Sequence, residues 1–335
     1  MITSIAQNRL QSYGQIVKGL SNVQNMETFP HFPVVIRKKT LGKCKSHLFL
    51  QAILVNVMKK LWKNLDLLLL FVRYSFIMDM KIWQMGGVSM GEVITVLSGK
   101  GGTGKTSVCA ALACALAEED QRVLCIDCDV GLRNLDISLG MSDLGALFFL
   151  DVSEGGYGLD RAAEHPLYPN LKFLTAPMNR PVENIDPIAF GDMLQEARKF
   201  FDYIFLDAPA GVDVGFRLVA QAADRFLLVT GSGPAAMRDA ARVGDILDIM
   251  GKHQVRLVVN RVQREMLKTV KMTIDDVMDN TGLPLLGVVP EDLHVTLAAA
   301  VGQPLLKYKP RCAAAKACRR IANRLQGLPE PIGFR

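Results

Sequence analysis

From Glu92 onward, short and almost continuously apolar runs alternate with longer stretches of helical length. The runs are Glu92 to Ser98, Arg122 to Asp127, Leu171 to Thr175, Asp202 to Asp207, Arg225 to Thr230, Val255 to Asn260 and Leu285 to Val289. Between them lie Ser107 to Glu119, Pro187 to Phe200, Val212 to Ala223, Pro234 to Met250 and Thr269 to Thr281, each with helical composition. A run apolar at successive positions has no solvent face, so these strands are covered on both sides and their sheet is mainly parallel. The alternation predicts a doubly wound α/β fold in a single domain. In such sheets ligands bind at the carboxyl ends of the strands, which singles out the residues just after each run.

The first 89 residues lack that pattern. Lysine pairs mix with oily runs such as Leu67 to Val72, without clean periodicity or turn chemistry. Lys59, Lys60, Lys63, Asp66 and Arg73 interrupt every stretch that could cross a membrane. A basic amphipathic anchor between Val55 and Trp83 is one reading. The preferred one is a mis-assigned start or a disordered extension, because Gly86-Gly87-Val88-Ser89 ahead of Met90 can be encoded as a purine-rich ribosome-binding sequence before a start codon. The expected organisation is an extension at 1–89, one domain at 90–326 and a tail at 327–335, where Pro329 and Pro331 forbid a regular helix.

Charge follows the same division. The chain carries a formal +6, but residues 1–89 hold 12 Lys/Arg against 3 Asp/Glu, leaving 27 against 30 in the remainder. The domain is slightly acidic, which argues against a nucleic-acid partner. Arg311, Lys316, Arg319, Arg320 and Arg324 form a local basic set, expected as the solvated face of a last helix. Seven cysteines (44, 109, 114, 125, 128, 312 and 318) with no secretory signal fit a reducing cytoplasm. Cys125 and Cys128 make a CxxC, but the first lies in an apolar run and no second pair completes a metal site.

Gly99-Lys100-Gly101-Gly102-Thr103-Gly104-Lys105-Thr106 fits GxxxxGK[ST] in full, between an expected strand and an expected helix. Glycines let the backbone curl so that successive N–H groups face phosphate oxygens, and the following helix adds its positive end. By that chemistry Lys105 reaches the β- and γ-phosphates, the Thr106 hydroxyl ligates Mg²⁺, and Ser107 meets the α-phosphate. Asp207 closes an apolar run with a carboxylate suited to hold Mg²⁺ through water; capping the helix from Val212 is the alternative. Asp127 and Asp129 share one face if the chain stays extended. Gly211 can offer its N–H to the γ-phosphate without side-chain bulk. Asn260 can pair with an adenine edge, or serve as a turn residue.

Lys100, a second lysine in the loop, together with the run KGGTGKT, resembles the deviant Walker A ATPases of the MinD/ParA family. The resemblance continues through Cys125 to Asp129 and the run GLRNLD (Gly131 to Asp136), similar to the family's switch I in its MinD branch. Ile204 to Gly211 resembles its Walker B and switch II, and Leu257 to Arg261 with Gly287 to Asp292, Pro290 included, its base-binding region. The resemblance implies an ATP- and Mg²⁺-dependent hydrolase. In it Lys100 crosses a dimer interface, Asp129 orients the attacking water and Asp127 supports the metal.

The implied role is a nucleotide-switched spatial regulator of division-site placement. It works as an ATP-dependent homodimer with a protein activator and a division-inhibitor partner. The location is cytoplasmic, or peripheral at the inner face of the cell membrane. The alternatives are ParA-like DNA partition, positioning of flagella or another cell structure, and an iron–sulfur carrier ATPase. Direct membrane contact is expected to be weak, because between Arg311 and Leu325 only Ile321 and Leu325 are sizeable apolar side chains beside five alanines.

Overall fold

The computed structural model describes residues 90–177 and 180–332; the readings of residues 1–89 and of the last three residues lie outside it. The chain from Met90 enters β1 (Glu92–Leu97), crosses through α1 (Lys105–Glu118) and returns in β2 (Val123–Asp127). Short helices α2 (Leu135–Leu139) and α3 (Phe149–Ser153) lead to β3 (Ala163–His165), β4 (Tyr168–Leu174), α4 (Pro187–Ala197) and β5 (Tyr203–Asp207). Then follow α5 (Val214–Ala222), β6 (Arg225–Thr230), α6 (Pro234–Ile249), β7 (Val255–Val262), α7 (Arg264–Val270) and α8 (Ile274–Thr281). The domain closes with β8 (Leu285–Pro290), α9 (Leu293–Ala300), α10 (Leu305–Tyr308) and α11 (Ala313–Leu325).

The eight strands form one sheet in the order β3-β4-β2-β5-β1-β6-β7-β8. All neighbours are parallel except β3 and β4. β1 and β5 sit in the middle, with the chain leaving toward opposite edges from them, so their carboxyl ends form the switch point where such sheets bind ligands. Both faces are covered: one core joins α1 and α11 to the sheet, and the other joins α3, α4 and α5. α1 is buried on almost every side from Val108 to Ala117, which explains its KTSVCAALACALAE sequence of small and apolar residues.

Three expectations need correction. The run at Leu171 begins earlier, at Tyr168, and pairs with β3, a three-residue antiparallel edge strand too short to show periodicity. The stretch Thr269 to Thr281 is two helices, because Lys271 adopts a left-handed φ of 52° and Thr273 caps a new start with Asp276 in a reciprocal capping box. The basic set near the carboxyl end is not one solvated face. Arg319 pairs with Glu118 at 2.7 Å, and the Arg324 guanidinium donates to the carbonyl oxygens of Leu286 and Glu330. The opposite face of α11, from Ala314 to Leu325, is buried. Its close approach to β8 rests on Gly287, where an added Cβ would lie 2.4 Å from Ile321. The tail from Gly327 folds back without a helix, Glu330 accepting from Asn323 at 2.7 Å.

Candidate nucleotide site

The Gly99 to Ser107 loop joins β1 to α1 at the switch point. Gly102 and Gly104 take φ of 79° and 84°, a conformation L side chains rarely adopt, and this curls the backbone into a nest of N–H groups. An added Cβ at Gly104 would also meet Asn260 Nδ2 at 2.3 Å, while Gly101 and Gly102 face open space. The Thr103 hydroxyl is buried with no hydrogen-bond partner among the described residues, a polar group left available to a ligand in the loop.

Under the loop three side chains converge. Lys105 Nζ lies 2.6 Å from Asp207 Oδ1, and the Thr106 hydroxyl donates to Asp207 Oδ2 at 2.7 Å. Both charged groups are buried. Burial works against the Lys105 ammonium, but the charge and hydrogen bond of Asp207 outweigh it and raise its pKa, so the lysine stays protonated. An acceptor carboxylate beside a hydroxyl is the oxygen donor set Mg²⁺ prefers, and a nest of N–H groups with a buried cation suits phosphate, so the residues fit Mg²⁺ and a nucleoside triphosphate. Asp207 is not a helix cap; the Asp213 position precedes α5.

The chain does not stay extended beyond β2. Asp127 Oδ1 accepts the Asp129 N–H at 2.9 Å and Oδ2 accepts the Leu135 N–H at 3.1 Å, so the carboxylate folds the following loop around itself. Asp127 and Asp129 therefore do not line one strand face as the spacing suggested. Burial, with the nearby Asp207 charge, pushes the Asp127 carboxyl up to about 7. Asp129 is half-buried, with Oδ1 accepting from Leu132 N at 3.3 Å.

Gly211 has φ 92° and donates its N–H to Ser98 O at 3.3 Å. An added Cβ there would have ample room, so backbone conformation rather than space calls for glycine. Lys100 is exposed and has no ion-pair partner among the described residues. Asn260, buried at the end of β7, donates from Nδ2 to Thr103 O at 2.8 Å. Its neighbour Arg261, which the resemblance placed in the base-binding run without a role, donates from its guanidinium to Gly102 O at 3.2 Å and pairs with Glu291 at 2.9 Å. Residue type gave no sign that it would brace the glycine loop 159 positions away. Ser107, Asn260, Pro290, Glu291 and Asp292 line a cavity of about 380 Å³ beside the loop. Cys125 and Cys128 are both core residues.

The model of the CobQ/CobB/MinD/ParA nucleotide binding domain matches residues 94–305, the whole span that builds this site. The chain belongs to the MinD/ParA family. It is 35% identical over 245 residues to the septum site-determining protein MinD of Synechocystis, covering 72% of this chain and 92% of the relative. A putative septum site-determining protein MinD of Nephroselmis olivacea is 39% identical over 245 residues, covering 72% and 89%. Among solved structures, the MinC:MinD cell division protein complex of Aquifex aeolicus matches with a TM-score of 0.67 at 32% identity, covering 72% of this chain and 98% of that one. MinD of Pyrococcus horikoshii complexed with Mg-ADP matches at 0.63 and 29% identity, covering 70% and 96%. The eight-stranded, mainly parallel sheet is thus the MinD/ParA P-loop fold. No helix among the described residues is long and apolar enough to cross a membrane.

Proposed function

We propose that this chain is a Mg²⁺-dependent ATPase that switches between nucleotide states to place the division site. The observation that carries the reading is the convergence of Lys105, Thr106 and Asp207 within 2.6–2.7 Å beneath a loop that also bears the exposed Lys100. When bound, Mg²⁺ would be held by Thr106 and Asp207 and would neutralise charge on the β- and γ-phosphates. Lys105 then turns from Asp207 toward phosphate, and the backbone N–H groups of Gly101 to Lys105 cradle the anion. Asp129 positions water, with Asp127 holding its loop in place. Gly211 exchanges its Ser98 contact for the γ-phosphate and so senses hydrolysis. Asn260 and Pro290 border the adenine, Ser107 the α-phosphate.

Leu132 on the loop after β2 and Val214 at the start of α5 are exposed apolar residues, 69% and 47% accessible, in the segments that follow the two carboxylate-bearing strands. They support an ATP-dependent homodimer with Lys100 reaching the partner's nucleotide, and a division-inhibitor partner; the Aquifex MinD is itself found in complex with MinC. A protein activator would complete the cycle. Depleting the protein from its own cells tests the role: misplaced septa are expected, and normally placed septa would overturn the division reading. Partition is the second reading. It is favoured by one observation, a hollow of about 320 Å³ bordered by Arg264, Arg311, Lys316 and Arg320. Loss of DNA molecules with normal septa would move the conclusion to it.

A further inference from the structure

The β8–α9 turn, which borders the cavity beside the loop through Asp292, meets the start of α11. Asp292, His294 and Cys312 come together there, with their ligand atoms all within 4.8 Å of one another. Asp292 also borders the nucleotide-site cavity, whereas His294 and Cys312 do not line it. His294 Nδ1 lies 2.7 Å from Asp292 Oδ1, and the Cys312 thiol hydrogen-bonds the same carboxylate.

We propose that Asp292, His294 and Cys312 form a binding site for a zinc-class divalent cation, with the fourth position open to water. A carboxylate, an imidazole and a thiolate are the donor types zinc takes in protein sites, whereas Mg²⁺ and Ca²⁺ prefer oxygen alone. The ligands are already oriented by backbone donors. Asp292 Oδ1 accepts from His294 N at 3.1 Å, Oδ2 accepts from Ala314 N at 3.1 Å, and Cys312 Sγ accepts from Ala315 N at 3.4 Å. Such outer contacts fix the geometry of metal ligands. Tyr308 lies against the imidazole with ring centres 6.5 Å apart.

The adjustment needed is small. Tetrahedral zinc at its usual bond lengths sets nitrogen and oxygen ligands about 3.3 Å apart and sulfur about 3.6 Å from nitrogen. The 2.7 Å contact opens slightly and the longest spacing closes by about an ångström, within reach of a side-chain rotation of the half-exposed His294. Zinc takes its sulfur ligand as the thiolate, so binding at Cys312 releases one proton to solvent.

The test uses the full chain stripped with a chelator and titrated with Co²⁺. A thiolate-to-cobalt charge-transfer band should grow to roughly one equivalent per chain and disappear as Zn²⁺ displaces Co²⁺. Cys312→Ser keeps a hydroxyl able to cap α11, so it should fold as wild type by circular dichroism and lose the band. His294→Gln, on a half-exposed ring, should weaken cobalt binding by at least about tenfold. Absence of the band in the wild type, or a band undiminished in either variant, would overturn the assignment.

Discussion

Replacing Asn260 with alanine separates two roles that its position combines. The side chain is buried and its Nδ2 donates to Thr103 O at 2.8 Å, fixing a loop whose next residue holds φ at 84°. The alanine variant leaves that carbonyl without its partner in a place where Thr103 already has an unsatisfied hydroxyl. Stranding a buried polar group costs about 1–3 kcal/mol. In a domain of this size that lowers the unfolding midpoint by roughly 2–12 °C. The loop is also the phosphate cradle, so part of the same cost should appear on binding, on the order of a tenfold loss of affinity. Calorimetry with ATP and with inorganic triphosphate tells the roles apart. Bracing the loop weakens both ligands, and any excess loss on ATP measures the adenine contact. An inorganic triphosphate affinity equal to that of the wild type would refute the bracing argument.

Lys105→Ala should abolish ATP binding in calorimetry and also destabilise the fold by about 3–5 kcal/mol, because Asp207 is left buried without its cation. Adding Asp207→Asn should restore most of the stability and none of the binding; chemical denaturation checks it. Lys100→Ala, at an exposed position, should change stability by less than about 0.5 kcal/mol and keep ATP binding, while light scattering finds weaker ATP-dependent dimers. Burial lowers the pKa of His165 below 6.5, with Leu167 N donating to its Nδ1 at 3.0 Å and its Nε2 2.8 Å from Leu139 O. Stability is then full above about pH 6.5 and falls as the pH drops toward the lowered folded value, since the unfolded chain binds the proton more readily. Melting curves between pH 7.5 and 5.5 should show the wild type losing stability relative to His165→Gln as the pH drops, the opposite contribution of Asp127 being common to both. Anionic liposomes should pellet little of the purified protein even with ATP and Mg²⁺; strong ATP-dependent co-sedimentation would disprove direct membrane attachment being weak.

The legible part of the molecule is the part whose chemistry is local. The seven long strands announce themselves because two-sided burial demands uninterrupted apolar residues, and the loop from Gly99 to Thr106 because a phosphate nest needs glycine at fixed offsets. What stayed hidden depends on partners distant in sequence. β3 exists only through pairing with β4, and the break at Lys271 is a backbone choice that neither glycine nor proline marks. The pairing of Lys105 with Asp207 spans 102 positions and the Asn260 brace 157, so residue type could nominate those side chains but not connect them.

α11 gives the sharpest case, because one composition supports two opposite functions. Basic residues alternating with alanine read as a weak surface helix, with side chains too small to bury much area. In the fold they have the opposite meaning. Ala314, Ala315, Ala317 and Ala322 let the helix lie close against α1, itself built from small residues on the facing side, and Ile321 fills the space that Gly287 leaves on β8. A helix whose apolar face already closes the core cannot give that face to lipid without opening the domain. Membrane recruitment of the described domain therefore has to work through another surface or another protein, and the exposed Arg311 and Lys316 at the start of α11 can steer an acidic partner without anchoring the chain.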